Sequence, residues 1–285
     1  VSARHNIVTI VGAGLLGGSL GLALKERGLA TTIRGVGRRQ SSLDAAQACG
    51  AIDEGFLDLA AACQDADLVV LCTPAAQVPD QLDTVRAACK PSAIVTDVAS
   101  TKATICTHAA QSWPSPSRFV GSHPMAGSEK WGPEHATASL YNGAITIVEE
   151  GDHLDPEAHA AVKSLWESIG STVVCMAPGD HDALVARSSH IPHIVAACVA
   201  ELVEVNGNAK AVIGNGFRDV TRVAEGRPEL WRDICLTNRE AIATGLAALS
   251  GRIDAVRAMV EAGASDDLEQ FFEAGAEARR KAMDP

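Results

Sequence analysis

Aromatic side chains are scarce, at 4% of 285 residues, with one Tyr, four Trp and five Phe. Helices in this chain must therefore pack mainly through Leu, Ile, Val and Ala, and small residues favour close helix approach. The eight cysteines (49, 63, 72, 89, 106, 175, 198 and 235) form no C-x-x-C pair and show no tight spacing. Most lie in apolar surroundings, which reads as reduced, buried thiols in a cytoplasmic protein. Positive charge is also short: 24 Lys and Arg against 35 Asp and Glu leave a net charge of -11. That balance argues against a nucleic-acid partner, and an anionic ligand would need a local cluster of cations. No signal peptide is expected before the first strand. Each apolar run is broken by charge within about 20 residues, so no membrane span is expected. Neither an internal repeat nor a low-complexity segment occurs.

What is present is an ordinary globular balance, 47% hydrophobic and 21% charged, over a length that suits one large domain or two of common size. The most informative stretch is Val11-Gly12-Ala13-Gly14-Leu15-Leu16-Gly17, set between the apolar run Ile7-Val8-Thr9-Ile10 and an apolar stretch from Leu20 to Leu24. Strand, glycine turn and helix is the context that makes G-x-G-x-x-G a dinucleotide fingerprint. Gly12 turns the chain off the strand, Gly14 lets backbone approach a pyrophosphate, and Gly17 lets the helix pack on the sheet. Phosphates would sit on the free N–H groups of Leu15, Leu16 and their neighbours at the positive helix end. A glycine turn that binds nothing is the bland alternative.

The first half alternates strands and helices. Strands are expected over 7–11, 31–36, 68–72, 93–97, 119–120, 144–148 and 172–176. Helices are expected between them, with Ser41 and Ser100 as caps. This pattern predicts an α/β fold with a doubly wound parallel sheet of Rossmann type. After Pro178 no strand is expected. Ile191, Ile194, Val195, Cys198 and Leu202 follow helical spacing, as do Leu230, Ile234, Ile242, Leu246 and Leu249. Pro228 suits the first position of a helix. The division falls at about 177: a dinucleotide-binding domain over 1–177 and an all-helical substrate and dimerisation domain over 178–285. A helical tail of this kind often packs on a second copy of itself.

At the tip of the second strand an NAD enzyme places Asp or Glu on the ribose hydroxyls. Here the tip reads Gly35-Val36-Gly37-Arg38-Arg39-Gln40-Ser41, with no carboxylate. Arginines would pair with a ribose 2′-phosphate, which favours NADP, with NAD as the alternative. Arg38 and Arg39 could instead be a solvated turn or stack on adenine. Gly37, Arg38, Arg39 and Ser41 join Gly12, Gly14, Leu15, Leu16 and Gly17 as cofactor residues, with Thr73-Pro74 where the strand over 68–72 ends.

Chemistry is suggested by Gly121-Ser122-His123-Pro124, which follows a strand end, where open parallel sheets present ligands. His123 is a candidate general base, with a structural hydrogen bond as its alternative; Ser100 could orient the ring. Ser189-His190-Ile191-Pro192-His193 opens the helical domain and could face this group across a cleft. His190 and His193 could instead bind a metal, but no third ligand stands at suitable spacing, and no metal is expected. Arg222, in Gly216-Phe217-Arg218-Asp219-Val220-Thr221-Arg222, suits a substrate carboxylate, unless it pairs with Asp219 or Glu225.

These motifs resemble the prephenate/arogenate dehydrogenases of tyrosine biosynthesis. The resemblance runs through nearly the whole chain. It is most specific at DVAST (97–101), GSHPMAGSEKWG (121–132), SSHIPH (188–193), GFRDVTRVA (216–224) and PELWRDI (228–234). It implies a Rossmann domain followed by a helical dimerisation domain, and a homodimer. It implies oxidative decarboxylation of prephenate or arogenate, with hydride passing to NAD(P). His123 would accept the proton of the ring hydroxyl and Ser100 would hold it. Glu129, Ser189, His190 and His193 would line the substrate pocket, Arg222 would bind a carboxylate and Trp231 would be a pocket aromatic. Arg218 stands where some relatives carry a lysine reaching over from the partner subunit. The Gly37-Arg38-Arg39 turn is similar to NADP-using, arogenate-type members. Two rivals remain: a β-hydroxyacid dehydrogenase, whose family uses a lysine early in the helical domain where this chain has none before Lys210, and a non-catalytic NADP-binding regulator.

Overall fold

A computed structural model describes residues 5–128, 130–203 and 213–283. The chain forms two compact units, Val1–Arg239 and Glu240–Pro285. The larger unit begins with β1 (His5–Val11), α1 (Leu15–Glu26), β2 (Ala30–Val36), α2 (Gln40–Ala48), β3 (Glu54–Phe56) and α3 (Leu59–Cys63). It continues with β4 (Leu68–Leu71), α4 (Val78–Ala88), β5 (Ile94–Asp97), α5 (Ala103–Ser112) and β6 (Phe119–Val120). The six strands form a sheet in the order β3-β2-β1-β4-β5-β6, parallel throughout. Residues of β4 show how this sheet is held. Leu68 and Val70 enter one core with Leu20 and Leu24 of α1 and Leu43 of α2. Val69 and Leu71 enter the other, with Leu82 and Val85 of α4 and Ile105 of α5. Side chains alternate across a strand, so a strand covered on both faces reads as an unbroken apolar run.

A second sheet follows. It contains β7 (Ser122–Pro124), β8 (Ile145–Glu149) and, after α6 (Pro156–Ser168), β9 (Thr172–Met176). β7 runs antiparallel to β8, and β8 parallel to β9. The strands near 144–148 and 172–176 thus lie outside the parallel sheet that the alternation suggests. The reason is local: Ser122 ties the start of β7 to β5. Its N–H donates to Asp97 Oδ1 at 3.0 Å, and its Oγ donates to the Asp97 carbonyl at 2.5 Å and accepts from Trp166 Nε1 at 3.0 Å. β3, short and at the sheet edge, is absent from the sequence reading.

Two expected caps move. α2 has Arg39 at its N-cap, placing Ser41 inside the helix. α5 starts after Lys102, and its first amides are satisfied from elsewhere: Asp182 accepts from the N–H of Lys102 at 2.7 Å and of Ala103 at 2.9 Å. A carboxylate suits the positive end of a helix.

Beyond β9, α7 (Pro178–Val185) runs through a π-helical turn (Ala186–His190) into α8 (Ile191–Glu201). This continuous run, Pro178–Glu201, has 24 residues, and an 18-residue window within it has a mean hydropathy of 1.3, long and apolar enough to cross a membrane by length and composition alone. The expectation that no such run exists therefore does not hold. Pro192 breaks the pattern in sequence, but it follows a widened turn inside one helix. The run also buries His181, Asp182 and His190, each with a protein partner. α9 (Asn215–Thr221) and α10 (Pro228–Thr237) follow, with Pro228 in the first turn of α10 as expected.

The smaller unit holds most of α11 (Arg239–Ala262) and α12 (Ser265–Met283). Gly263, at φ 63, ends α11 in the left-handed conformation that glycine favours. Ile253, Val260 and Phe272 are 59%, 62% and 67% exposed.

Candidate active site

A cleft of about 410 Å³ opens at the carboxyl ends of β1, β2 and β4. Its lining includes Gly12, Gly14, Gly37, Arg38, Thr73 and Pro74. Gly12 has φ 96, and a Cβ there would lie 2.6 Å from the Cys72 carbonyl oxygen. A Cβ on Gly17 would meet the Gly12 carbonyl oxygen at 2.2 Å. Around Gly14, in contrast, the space is open, and no side chain caps α1. The first amides of α1 thus remain as donors for an anion. This geometry fits a dinucleotide pyrophosphate. Leu15, Leu16 and Gly17 stand behind the lining in the first turn of α1, and Leu16 O accepts from the Tyr141 hydroxyl at 2.8 Å. Arg38, Arg39 and Ser41 are exposed at the tip of β2, with only Arg38 in the lining. Among the described residues neither arginine has an ion-pair partner.

Sequence reasoning missed part of this cleft. Leu57, Leu59, Gln77 and Gln81 also line it, and Thr73 Oγ1 donates to Gln81 Oε1 at 2.5 Å. No motif marks them, because they reach the cleft from helix starts and loops separated in sequence.

A second cluster is built on β7. His123 is 9% exposed, and its Nδ1 lies 2.8 Å from Nε2 of His181. His181 is fully buried, and its Nδ1 lies 2.8 Å from Asp182 Oδ1. The same Asp182 carboxylate caps α5, so its place is fixed by backbone amides. A carboxylate only accepts, so His181 carries its proton on Nδ1. A neutral His181 then accepts at Nε2 from the Nδ1–H of His123, which leaves a lone pair on His123 Nε2. Burial holds His123 well below the ordinary imidazole range, aided by His181, Lys102 and His190. Lys102, itself buried, is ion-paired with buried Asp97. Neither His181 nor Asp182 was singled out from sequence. They stand in the polar stretch Asp180-His181-Asp182 at the start of α7, which no motif marks.

Other expected site residues fall around this cluster in varied ways. Ser100 is half-buried, and no hydrogen bond joins it to His123; His181 makes the contact at Nδ1. His190 is 2% exposed in the π-helical turn, and burial pushes its imidazole down to about 4. Its Nδ1 lies 3.2 Å from Nδ2 of Asn238. His193 Nδ1 donates to the Ser189 carbonyl at 3.0 Å, and its ring stacks on Trp231 at 3.7 Å. Trp231 also stands edge-on to His190, at 6.2 Å. Arg218 and Arg222 are exposed at α9 and in the turn after it. Among the described residues, Arg222 pairs with neither Asp219 nor Glu225. Glu129 lies outside the described residues.

A parallel sheet with a glycine turn at its switch point, followed by a buried imidazole chain, defines a class: a Rossmann-type nucleotide-binding protein with a second, histidine-built site. Two family models match along the chain: the prephenate dehydrogenase nucleotide-binding domain over residues 20–175 and the prephenate dehydrogenase dimerization domain over 177–274. The chain belongs to the prephenate dehydrogenase family. It is 32% identical over 277 residues to prephenate dehydrogenase of Bacillus subtilis (strain 168), covering 95% of this chain and 75% of that one. The structure of prephenate dehydrogenase from Aquifex aeolicus in complex with hydroxyphenyl propionate and NAD+ is similar, with a TM-score of 0.91, 28% identity and full coverage (100%) of both chains. Synechocystis arogenate dehydrogenase matches with a TM-score of 0.84 and 31% identity, over 97% of this chain and 100% of that one.

Proposed function

We propose that this chain is an NAD(P)-dependent dehydrogenase that oxidatively decarboxylates prephenate or arogenate, giving 4-hydroxyphenylpyruvate or tyrosine in tyrosine biosynthesis. The observation that carries the reading is the Asp182–His181–His123 chain, which presents a buried, neutral imidazole in a protein of this family. A bound nicotinamide supplies the acceptor for a hydride from the hydroxyl-bearing ring carbon. His123 Nε2 takes the hydroxyl proton. Asp182 stabilises the charge that then develops on the imidazole, through His181. The ring carboxylate leaves as carbon dioxide, its bonding pair completes the aromatic ring, and His123 returns the proton to the phenolate oxygen. Ser100, in the segment between β5 and α5, is the second catalytic residue of this reading.

On the substrate side, Arg222 binds a carboxylate, with Glu129, Ser189, His190, His193, Arg218 and Trp231 forming the surrounding pocket. Gly12, Gly14, Leu15, Leu16, Gly17, Thr73 and Pro74 hold the pyrophosphate and nicotinamide end of the cofactor. Gly37, Arg38, Arg39 and Ser41 hold the ribose end. NADP is the preferred form: the β2 tip lacks a carboxylate and offers two exposed guanidinium groups with no ion-pair partner among the described residues. The division into a nucleotide domain and a helical domain falls at about 177, just after β9 ends. The helical part forms a homodimer, in keeping with the exposed apolar side chains of α11 and α12 and with the domain name that the family model bears. Eight free thiols suit a reducing, cytoplasmic setting.

The direct test is reduced-nicotinamide formation with prephenate and arogenate, each with NADP and NAD. Turnover of one dienol with a strong NADP preference is the expected result. Silence in all four mixtures, from folded protein that binds a nicotinamide nucleotide, would overturn the assigned reaction.

A further inference from the structure

We infer that Asn238 is a positioning residue for the reaction: it holds His190 in the tautomer with its proton on Nε2, so that this imidazole donates in the pocket where His123 accepts. The inference rests on the reading of His190 as a substrate-pocket residue. Asn238 closes the C-terminal end of α10 and is 5% exposed. Its Nδ2 lies 2.8 Å from the carbonyl oxygen of Asp182. A carbonyl oxygen only accepts, so the amide nitrogen, not its oxygen, must face Asp182. The same nitrogen lies 3.2 Å from His190 Nδ1. An NH2 group has two hydrogens, one for each partner. His190 Nδ1 must then offer its lone pair, and the ring proton resides on Nε2.

The amide is braced from behind. Thr237, its neighbour, donates to the Asp233 carbonyl at 2.8 Å and accepts from the Thr101 hydroxyl at 2.9 Å, tying α10 to the segment before α5. Protonating His190 at Nδ1 would set N–H against N–H. This agrees with the low value that burial imposes on the ring. The four imidazoles thus divide their roles. His123, His181 and His193 carry protons on Nδ1, and His190 carries its proton on Nε2. Two groups of one chemical type become acceptor and donor through their partners alone.

The test reads the tautomer directly, in the full chain labelled with 15N-histidine and free of substrate. His190 is assigned by the signals lost in His190→Gln. The expected wild-type result is a neutral ring protonated at Nε2. In Asn238→Asp, a carboxylate accepts where the amide donated. The proton should move to Nδ1, and kcat/KM should fall about tenfold with cofactor affinity unchanged. A wild-type His190 protonated at Nδ1 would overturn the inference without recourse to any variant. So would an Asn238→Asp protein that keeps the Nε2 proton and full kcat/KM. Because the tautomer is read without substrate, a wild-type protein inactive on both dienols but protonated at Nε2 would instead fault the assigned reaction.

Discussion

The two sites of the larger unit are built from different materials. The nucleotide cleft is mostly backbone, glycine and apolar side chain, gathered at the ends of adjacent parallel strands. The histidine cluster is side-chain chemistry: β7 supplies His123, α7 supplies His181 and Asp182, the π-helical turn supplies His190, and Asn238 follows α10. In the first site, shape and helix-end amides do the work. In the second, function depends on which nitrogen carries a proton. A substitution that preserves shape should therefore be mild in one and severe in the other.

The largest expected effect breaks the second site alone. His123→Asn keeps polarity and approximate size but removes the base. A positioned general base contributes about 10²–10⁴ in rate. Turnover should fall by that order while cofactor affinity, measured by titration, stays unchanged. Near-normal turnover would remove His123 from the reaction and erase the contrast between the sites.

The same contrast explains what could be read from the chain. The glycine turn is contiguous: strand, turn and helix lie within about two dozen residues, and each glycine answers to a local constraint. Strand–helix alternation and the parallel sheet were legible for the same reason, since apolar runs such as Leu68–Leu71 report burial on both faces. The histidine chain was legible only in part. His123 stands in a recognisable motif, but its partner His181 is 58 residues away, and Asn238 is 48 residues from His190. Ser100 lies closer to His123 in sequence and was the natural choice to orient it. Nothing local signals that Asp182 would cap α5 across a gap of about 80 residues and so displace the expected cap. The second sheet was illegible because β7 follows β6 after a single residue, Gly121, and then pairs antiparallel with β8, where a continuing parallel strand would look much the same.

A smaller effect sharpens the comparison through pH. His190 is held near 4 by burial, against an ordinary value of 6.5, and His123 is lowered in the same direction. Both are neutral in the folded protein, while their unfolded counterparts take up protons below about 6.5. Their contribution to stability is therefore complete above pH 6.5 and is lost as pH falls toward 4. For His190 alone the loss amounts to about 3 kcal/mol. Urea unfolding at pH 7.5 and 4.5 should show it, and His190→Gln should remove that share of the difference. An equal pH dependence in the variant would place the acid sensitivity elsewhere. In the nucleotide cleft the shift runs the other way: burial raises the Cys72 thiol.

The smallest effect tests the one place where the nucleotide cleft relies on charge. Arg38 is exposed, lines the cleft and has no ion-pair partner among the described residues. A ribose 2′-phosphate would gain a charge-assisted contact from it, and solvent would screen much of that gain. Arg38→Gln keeps the side chain's length and removes the charge. NADP affinity should fall about tenfold, the loss should shrink as salt is raised, and NAD affinity should hardly move. Because Arg39 stands next to Arg38, the double substitution should widen the loss. Equal weakening of NADP and NAD would show that the guanidinium stacks on adenine, which both cofactors share, and does not read the phosphate. The cleft would then be built from shape throughout, and the division between the two sites would be sharper still.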